Sequence, residues 1–238
     1  MILGWLAAAA AAAEELPGPV AAWANAGADP SVSSAVQWVV LLTSLSFLPA
    51  LVLLTTPFTR FVIVFSLLRQ ALGLQQSPPN QVLVGLSLLL SFAVMQPTWT
   101  QVDEQAVQPY VAGEIDTPEA YARAIKPLRA HMLANTRREE LGTAIKVSRI
   151  TRPATLDELP TSVVVTGYVL SELETAFVAA VKVYVPFLVV DLVVASVLLG
   201  MGMMMLPPVV ISLPFKLLLF VLMDGWSLLL VSLAEGAR

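Results

Sequence analysis

The chain has 238 residues, of which 57% are hydrophobic and 13% charged, with a net charge of −4 and no cysteine. A soluble domain carries about 25% charged residues, so this is the composition of a membrane protein. The negative balance argues against a nucleic-acid partner, and the missing cysteines remove disulfides, thiolate nucleophiles and thiolate metal sites. The charges are also unevenly placed. Eight Lys/Arg and nine Asp/Glu, more than half of them all, fall within residues 97–160. That partition predicts a polar insert between apolar blocks.

Residues 2–13 form an alanine-rich apolar run followed by Glu14 and Glu15. The run reads as a secretory signal within 1–24, with small residues at Ala11 and Ala13, or Ala22 and Ala24, suited to cleavage. It departs from that pattern in having no Lys or Arg ahead of the run; an uncleaved N-terminus is the alternative. Residues 14–34 read as an irregular linker. A first apolar block then occupies 25–96. Within it, 36–54 is the cleanest spanning candidate, kinked at Pro49 and ended at Pro57. The next apolar helix, 58–74, is interrupted by Arg60 and Arg69, which at a spacing of nine point to different faces. QQSPPNQ (75–81) is a turn, with Pro79 and Asn80 opening the next helix. Residues 82–95, stopped by Pro97, are too few for an ordinary span and suit a buried or re-entrant helix.

In the insert 97–160, a helix starts at Thr117, should break at Pro127 and resumes over 128–141; 149–160 is a loop. His131 is the single histidine. With no partner ligands near it in sequence, it suggests no metal site. Arg137, Arg138, Glu139 and Glu140 read as a solvated face.

The C-terminal block, 161–238, is apolar again. Its segment 175–190 is short, interrupted by Lys182 and Pro186. Residues 192–215 carry no charge, yet Gly200, Gly202, Pro207, Pro208 and Pro214 oppose one straight helix. Two halves, 187–199 and 209–222, joined by an uncharged loop are therefore expected. That loop holds Met201, Met203, Met204 and Met205, flexible and polarizable side chains suited to sealing against changing apolar shapes. The bland alternative is that they fill an irregular core. Glu172, Glu174, Lys182, Asp191, Lys216 and Asp224 lie in or beside this apolar half. Each charge at bilayer depth costs at least about 2.5–3.5 kcal/mol, so pairing is expected. Lys216 should pair with Glu172 or Asp191, within or between subunits, unless it snorkels to an interface. Arg60 and Arg69 join these as charges in need of partners.

Four stretches carry a resemblance: 54–85 (LTTPFTRFVIVFSLLRQALGLQQSPPNQVLVG), 171–177 (SELETAF), 186–216 (PFLVVDLVVASVLLGMGMMMLPPVVISLPFK) and 223–226 (MDGW). Together they resemble the FliP family of flagellar biosynthesis proteins of the type III export gate. They cover most of the chain after about residue 40. The virulence-secretion SctR family shares much of the first and third stretches; RQALGLQQSPPNQ and the signal segment lean towards the flagellar branch. The resemblance implies an all-α subunit of bent helical hairpins. Several copies would assemble with FliQ and FliR into a helical, ring-like pore, with FlhA and FlhB nearby. Unfolded flagellar proteins would pass through it. It further implies a place in the inner membrane at the flagellar basal body. Arg60 and Arg69, between the first two apolar blocks, belong with the cytoplasm by the positive-inside tendency, which puts the insert on the periplasmic side. By the same likeness Gly200, Met201, Gly202, Met203, Met204 and Met205 would lie at the constriction, and the segments bearing Glu172, Asp191, Lys216, Arg60 and Arg69 would pack subunit against subunit.

No catalytic, cofactor-binding or metal-binding constellation is visible, and no G-x-x-x-x-G-K loop supplies nucleotide chemistry. The competing reading is a solute carrier or intramembrane protease built on the broken helix. Asp191 and Asp224 are formally available to a protease, but neither sits in a Gly-x-Gly-Asp setting. No internal repeat supports a carrier.

Overall fold

The structure, a computed structural model, describes residues 52–150, 155–203 and 205–237, with scattered positions between 39 and 50. The expected signal segment, most of the first apolar stretch and Met204 lie outside the described residues. The described residues form helices and no strand. In chain order these are α1 (Phe58–Ala71), α2 (Asn80–Val102), a π-helical turn (Asp103–Val107), α3 (Gln108–Val111), α4 (Thr117–Ala134), α5 (Arg138–Val147), a 3₁₀ turn (Leu156–Glu158), α6 (Thr161–Gly200), α7 (Pro208–Leu222) and α8 (Gly225–Glu235).

Helices run through prolines that the sequence reading took as breaks. Pro97 lies inside α2, Pro127 inside α4, Pro186 inside α6 and Pro214 inside α7. A proline already has the helical φ; its cost, about 3 kcal/mol, comes from one lost hydrogen bond and a clash with the preceding turn. That cost is outweighed when the remaining turns of a long helix are held by packing, and Pro127 is itself buried. The corrected picture has longer elements: α2 replaces a 14-residue stub, α4 is unbroken, and the expected piece 175–190 is the middle of the 40-residue α6. At 1.5 Å per residue α6 is about 60 Å long.

The described residues divide into two compact units, one holding 96–134 with 52–55, the other 56–95 with the described residues from 135 to 237. In the first, α4 starts on an Asp116 cap, whose Oδ1 accepts the Glu119 backbone N–H at 3.0 Å. It packs against the π-helical turn, burying Met132, Pro127 and Ala106.

The second unit is built on α1 and α6. Phe61, Val64, Phe65, Leu68, Ala71 and Leu72 recur at three- and four-residue steps and are buried as one stripe. They share a core with Ala176, Ala180 and Phe187 of α6, where the two small residues admit a close helix. α7 buries Ser212, Lys216 and Phe220, and α8 buries Gly225, Leu229 and Leu233, each a strict four-residue stripe. The rest of α6 and α7 is bare: 11% of the most apolar 18-residue window of α6 is buried within the chain. α2 with its continuation to Val111, and α6, are long and apolar enough to cross a membrane, and α7 with α8 form a third such segment bent by 63°.

The bend is made by Met223-Asp224-Gly225-Trp226. Asp224 adopts the left-handed conformation (φ 50°), and the Phe220 ring folds onto Gly225, where a Cβ would lie 2.3 Å from two ring carbons. The same ring meets Trp226 edge-on at 5.4 Å. Gly225→Ala should therefore force the ring out and destabilise the protein by about 1–3 kcal/mol, read as a lowered thermal midpoint in detergent. Gly85→Ala, whose Cβ would meet nothing within 4 Å, is the matched control and should leave that midpoint unchanged or raise it.

Candidate functional site

Two ion pairs stand inside the apolar second unit. Arg60, in the first turn of α1, holds Glu172 of α6 through both ends of its guanidinium: Nε donates to Oε2 at 2.9 Å, and Nη2 donates to Oε1. Its remaining Nη1 donates to the Gly236 carbonyl just past the end of α8. The Arg60 and Glu172 side chains are 3% and 1% exposed, so this is a fully desolvated, bidentate pair. Three helices meet on one guanidinium.

The second pair is centred on Lys216, also almost fully buried. Its Nζ donates to Asp191 Oδ2 of α6 at 2.6 Å and to the Ala71 carbonyl at the end of α1 at 2.9 Å. A cation on the last carbonyl of a helix also complements the helix dipole. Ser212 Oγ donates to the other Asp191 oxygen at 2.5 Å, so both oxygens of that carboxylate are occupied. Of the two partners left open for Lys216, the structure uses Asp191, and it gives Glu172 to Arg60. Both pairs are closed within one chain, the first of the two arrangements, within or between subunits, that the sequence leaves open for Lys216.

Arg69 leaves the opposite face of α1. Its Nη1 donates to Asn80 Oδ1 at 2.7 Å and the Pro78 carbonyl at 3.2 Å, tying the end of α1 to the start of α2. The SELETAF stretch also resolves into separate tasks. Ser171 Oγ accepts the Arg137 backbone N–H at the start of α5, Glu172 takes Arg60, Glu174 meets Arg137 at 2.5 Å, and Ala176 enters the core.

The tip between α6 and α7 is the other feature. α6 ends in a paired-bond turn: the Met203 N–H reaches the Leu198 carbonyl at 2.9 Å, and the Gly202 N–H reaches that of Leu199 at 3.0 Å. Gly202 supplies the left-handed residue this turn requires (φ 75°), whereas Gly200 is simply the last helical residue. The reversal thus rests on one of the two glycines singled out in the sequence. Met201, Met203 and Met205 are exposed, Met205 to 98%. Within this chain they fill no core. Pro207 and Pro208 then restart the chain as α7.

The serine and the two backbone carbonyls that complete the clamps were not singled out from sequence. The four-residue spacing of Ser212, Lys216 and Phe220 would have placed the serine on the lysine's face. No pattern points to Gly236 or Ala71 as acceptors. Asp191, with both oxygens engaged, does not offer the free facing carboxylate that a protease dyad needs, and nothing favours the carrier reading.

These features define a helical membrane protein whose apolar unit is clamped by internal ion pairs and which presents an exposed, methionine-rich hairpin tip. Residues 41–233 match the FliP family. The flagellar biosynthetic protein FliP of Bacillus subtilis (strain 168) is 45% identical over 206 residues, 87% of this chain and 93% of that protein. The protein of the same name from Pectobacterium carotovorum is 50% identical over 201 residues, 84% and 78% of the two chains, and that of Caulobacter vibrioides 47% over 201 residues, 84% and 76%. The chain belongs to the FliP family.

The clamps can be tested separately. Lys216→Met leaves the partly buried Asp191 carboxylate without its cation, and Arg60→Met strands the fully buried Glu172. Each single change should cost about 3–5 kcal/mol, and removing both members of a pair should recover much of it. Lys216→Met should thus be rescued by Asp191→Asn and not by Glu172→Gln, as read by yield and thermal midpoint in detergent. Rescue by Glu172→Gln instead would mean the pairing described here is wrong.

Proposed function

We propose that this chain is a pore-forming core subunit of the flagellar type III protein export apparatus, passing unfolded flagellar proteins across the inner membrane. The observation that carries the reading is the hairpin tip on a chain of the FliP family. A rigid 40-residue helix ends in a tight glycine turn that bears exposed methionines and no charge. Repeated around a ring of copies, such tips make a compliant apolar collar. It excludes water when closed and moulds around a passing chain, because methionine has many low-energy rotamers. Gly200, Met201, Gly202, Met203, Met204 and Met205 are the proposed constriction. The role is non-enzymatic: the subunit gates the path, and the energy for export comes from elsewhere.

In this reading several copies assemble with FliQ and FliR, with FlhA and FlhB nearby, at the basal body. The largely bare apolar faces of α6 and α7 support it, since in a membrane assembly they meet lipid or neighbouring subunits. The polar stretch 97–160 is the proposed periplasmic insert, and 161–238 the pore-forming block.

Truncating Met201, Met203 and Met205 to Ala should leave the complex assembled but permeable. Cells carrying the triple variant should become sensitive to small solutes that wild-type cells exclude, while secretion persists. Wild-type impermeability in a properly assembled variant would return these methionines to a packing role. Topology has its own check: a phosphatase that folds only in the periplasm, fused near Gly113, should be active. Activity there of a reporter confined to the cytoplasm would reverse the topology.

A further inference from the structure

The tip between α6 and α7 also carries a chemistry that sealing does not use. A methionine thioether is oxidised reversibly to a sulfoxide, which turns a flexible apolar side chain into a polar one. Exposure divides the methionines into two groups: Met205, Met201 and Met203 are 98%, 67% and 42% exposed, whereas Met95 and Met132 are 0% and 2%. What a sulfoxide oxygen would meet at the tip is equally defined. The backbone N–H groups of Met201, Gly202, Met203 and Leu206 are already donated to carbonyls. Pro207 and Pro208 have no N–H, and no charged side chain lies between Asp191 and Lys216. The donors nearest the reversal are spent, so a new acceptor there is satisfied by water.

We propose that the tip methionines are an oxidation site for hypohalous acids, and that their sulfoxides unseal the constriction. The proposal rests on the collar reading given above. In the reaction the sulfur gives an electron pair to hypochlorous acid and gains its oxygen as an S=O bond. The O–Cl bond breaks, chlorine leaves reduced to chloride, and the proton passes to water. No other co-reactant is needed. A collar across a conduit has water on both of its faces, so a small neutral oxidant reaches it without entering the packed helices. A sulfoxide left dry is an unpaired polar group, and that cost keeps water in the closed collar. Repeated around a ring, the modification replaces a surface that excludes water with a band of dipoles that holds it. At Met95 and Met132 the same chemistry is blocked by burial.

The test uses the assembled export complex containing this chain, reconstituted into liposomes of a saturated phospholipid loaded with a small dye. Brief treatment with hypochlorous acid should add oxygen to Met201, Met203 and Met205 and leave Met95 and Met132 unmodified, as read by peptide mapping. The oxidised complex should release dye that the untreated complex retains. Leucine is apolar and close to methionine in volume but has no sulfur. Met201→Leu, Met203→Leu, Met204→Leu and Met205→Leu together should therefore stay tight before and after the oxidant. Met223→Leu removes an exposed methionine outside the tip and should leak on oxidation as the wild type does. The inference is overturned if Met95 and Met132 are oxidised as fast as the tip, or if the quadruple leucine variant leaks on oxidation. The triple change of Met201, Met203 and Met205 to Ala separates it from the collar reading. If that variant leaks without oxidant while the tip-oxidised wild type stays tight, the collar stands and the oxidation switch falls. If both stay tight, the collar reading falls with it.

Discussion

The desolvated contact between Arg60 and Glu172 is the constraint around which the apolar unit is arranged. A guanidinium with five donors in a rigid fork can satisfy a carboxylate bidentately and still reach a third group, which an ammonium on a flexible stem does less well. Here the third group is the Gly236 carbonyl. A single side chain therefore fixes α1 against α6 and the end of α8 against both. The Lys216 cluster repeats the device with different chemistry, gathering the last carbonyl of α1, Asp191 of α6 and α7. α1 is short, but each of its ends is held by a charge, and its stripe of Phe61, Phe65 and Leu68 fills the space between them. Losing one member of either pair would strand its partner in an apolar setting, so the clamps are held by the penalty for breaking them as much as by their attraction.

From those clamps the structure loosens outward. Asp191 is the last charge on α6, and beyond it the helix continues for nine residues of aliphatic and small side chains to Gly200. On the returning arm, Ser212 is the first buried residue of α7. Between Asp191 and the tip, Leu198 is the one buried residue of α6, so the tip has few buried apolar contacts of its own. Such regions open at lower free energy than a packed core. A stiff stem with an adaptable end is a physical requirement for a seal that must yield and re-form. In the proposed collar the methionines would provide the adaptability, and the bonds of the Gly202 turn keep the reversal itself defined.

What the sequence made legible follows from the range of the forces involved. The turn at 75–81, the apolar character of α6 and α7, the uncharged methionine tip and the need to neutralise Asp191, Lys216 and Arg60 are local or compositional properties, and they could be read directly. Helix boundaries at Pro97, Pro127 and Pro186 could not. Whether a proline ends a helix or is absorbed depends on how firmly the remaining turns are packed, which is a tertiary quantity. Charge pairing was equally non-local. Arg60 and Glu172 are 112 residues apart, and nothing in the spacing of either side chain points to the other. The MDGW turn was legible as a motif but not as a mechanism, since its glycine is required by the Phe220 ring five residues earlier.

It remains to explain why charges are placed in these helices when apolar residues of similar volume would insert more readily. α6 and α7 are dominated by Val and Leu, whose contacts are much alike from one turn to the next. Two such surfaces can slide by one turn, about 5.4 Å, and lose little apolar burial. A one-turn slip of α6 against α1 would carry Glu172 away from Arg60, and a slip of α6 against α7 would carry Asp191 away from Lys216, each leaving two charges without partners. The penalty for each is several kcal/mol, far above what a shifted valine contact forfeits. The ion pairs therefore act as register marks more than as adhesive, in the way a single polar residue fixes the register of an otherwise uniform helical seam. For a helix whose far end carries the proposed constriction, a fixed register is what sets the height of the tip. An axial error of one turn at Glu172 would arrive undiminished at Met201 and misalign it with every neighbour around a ring.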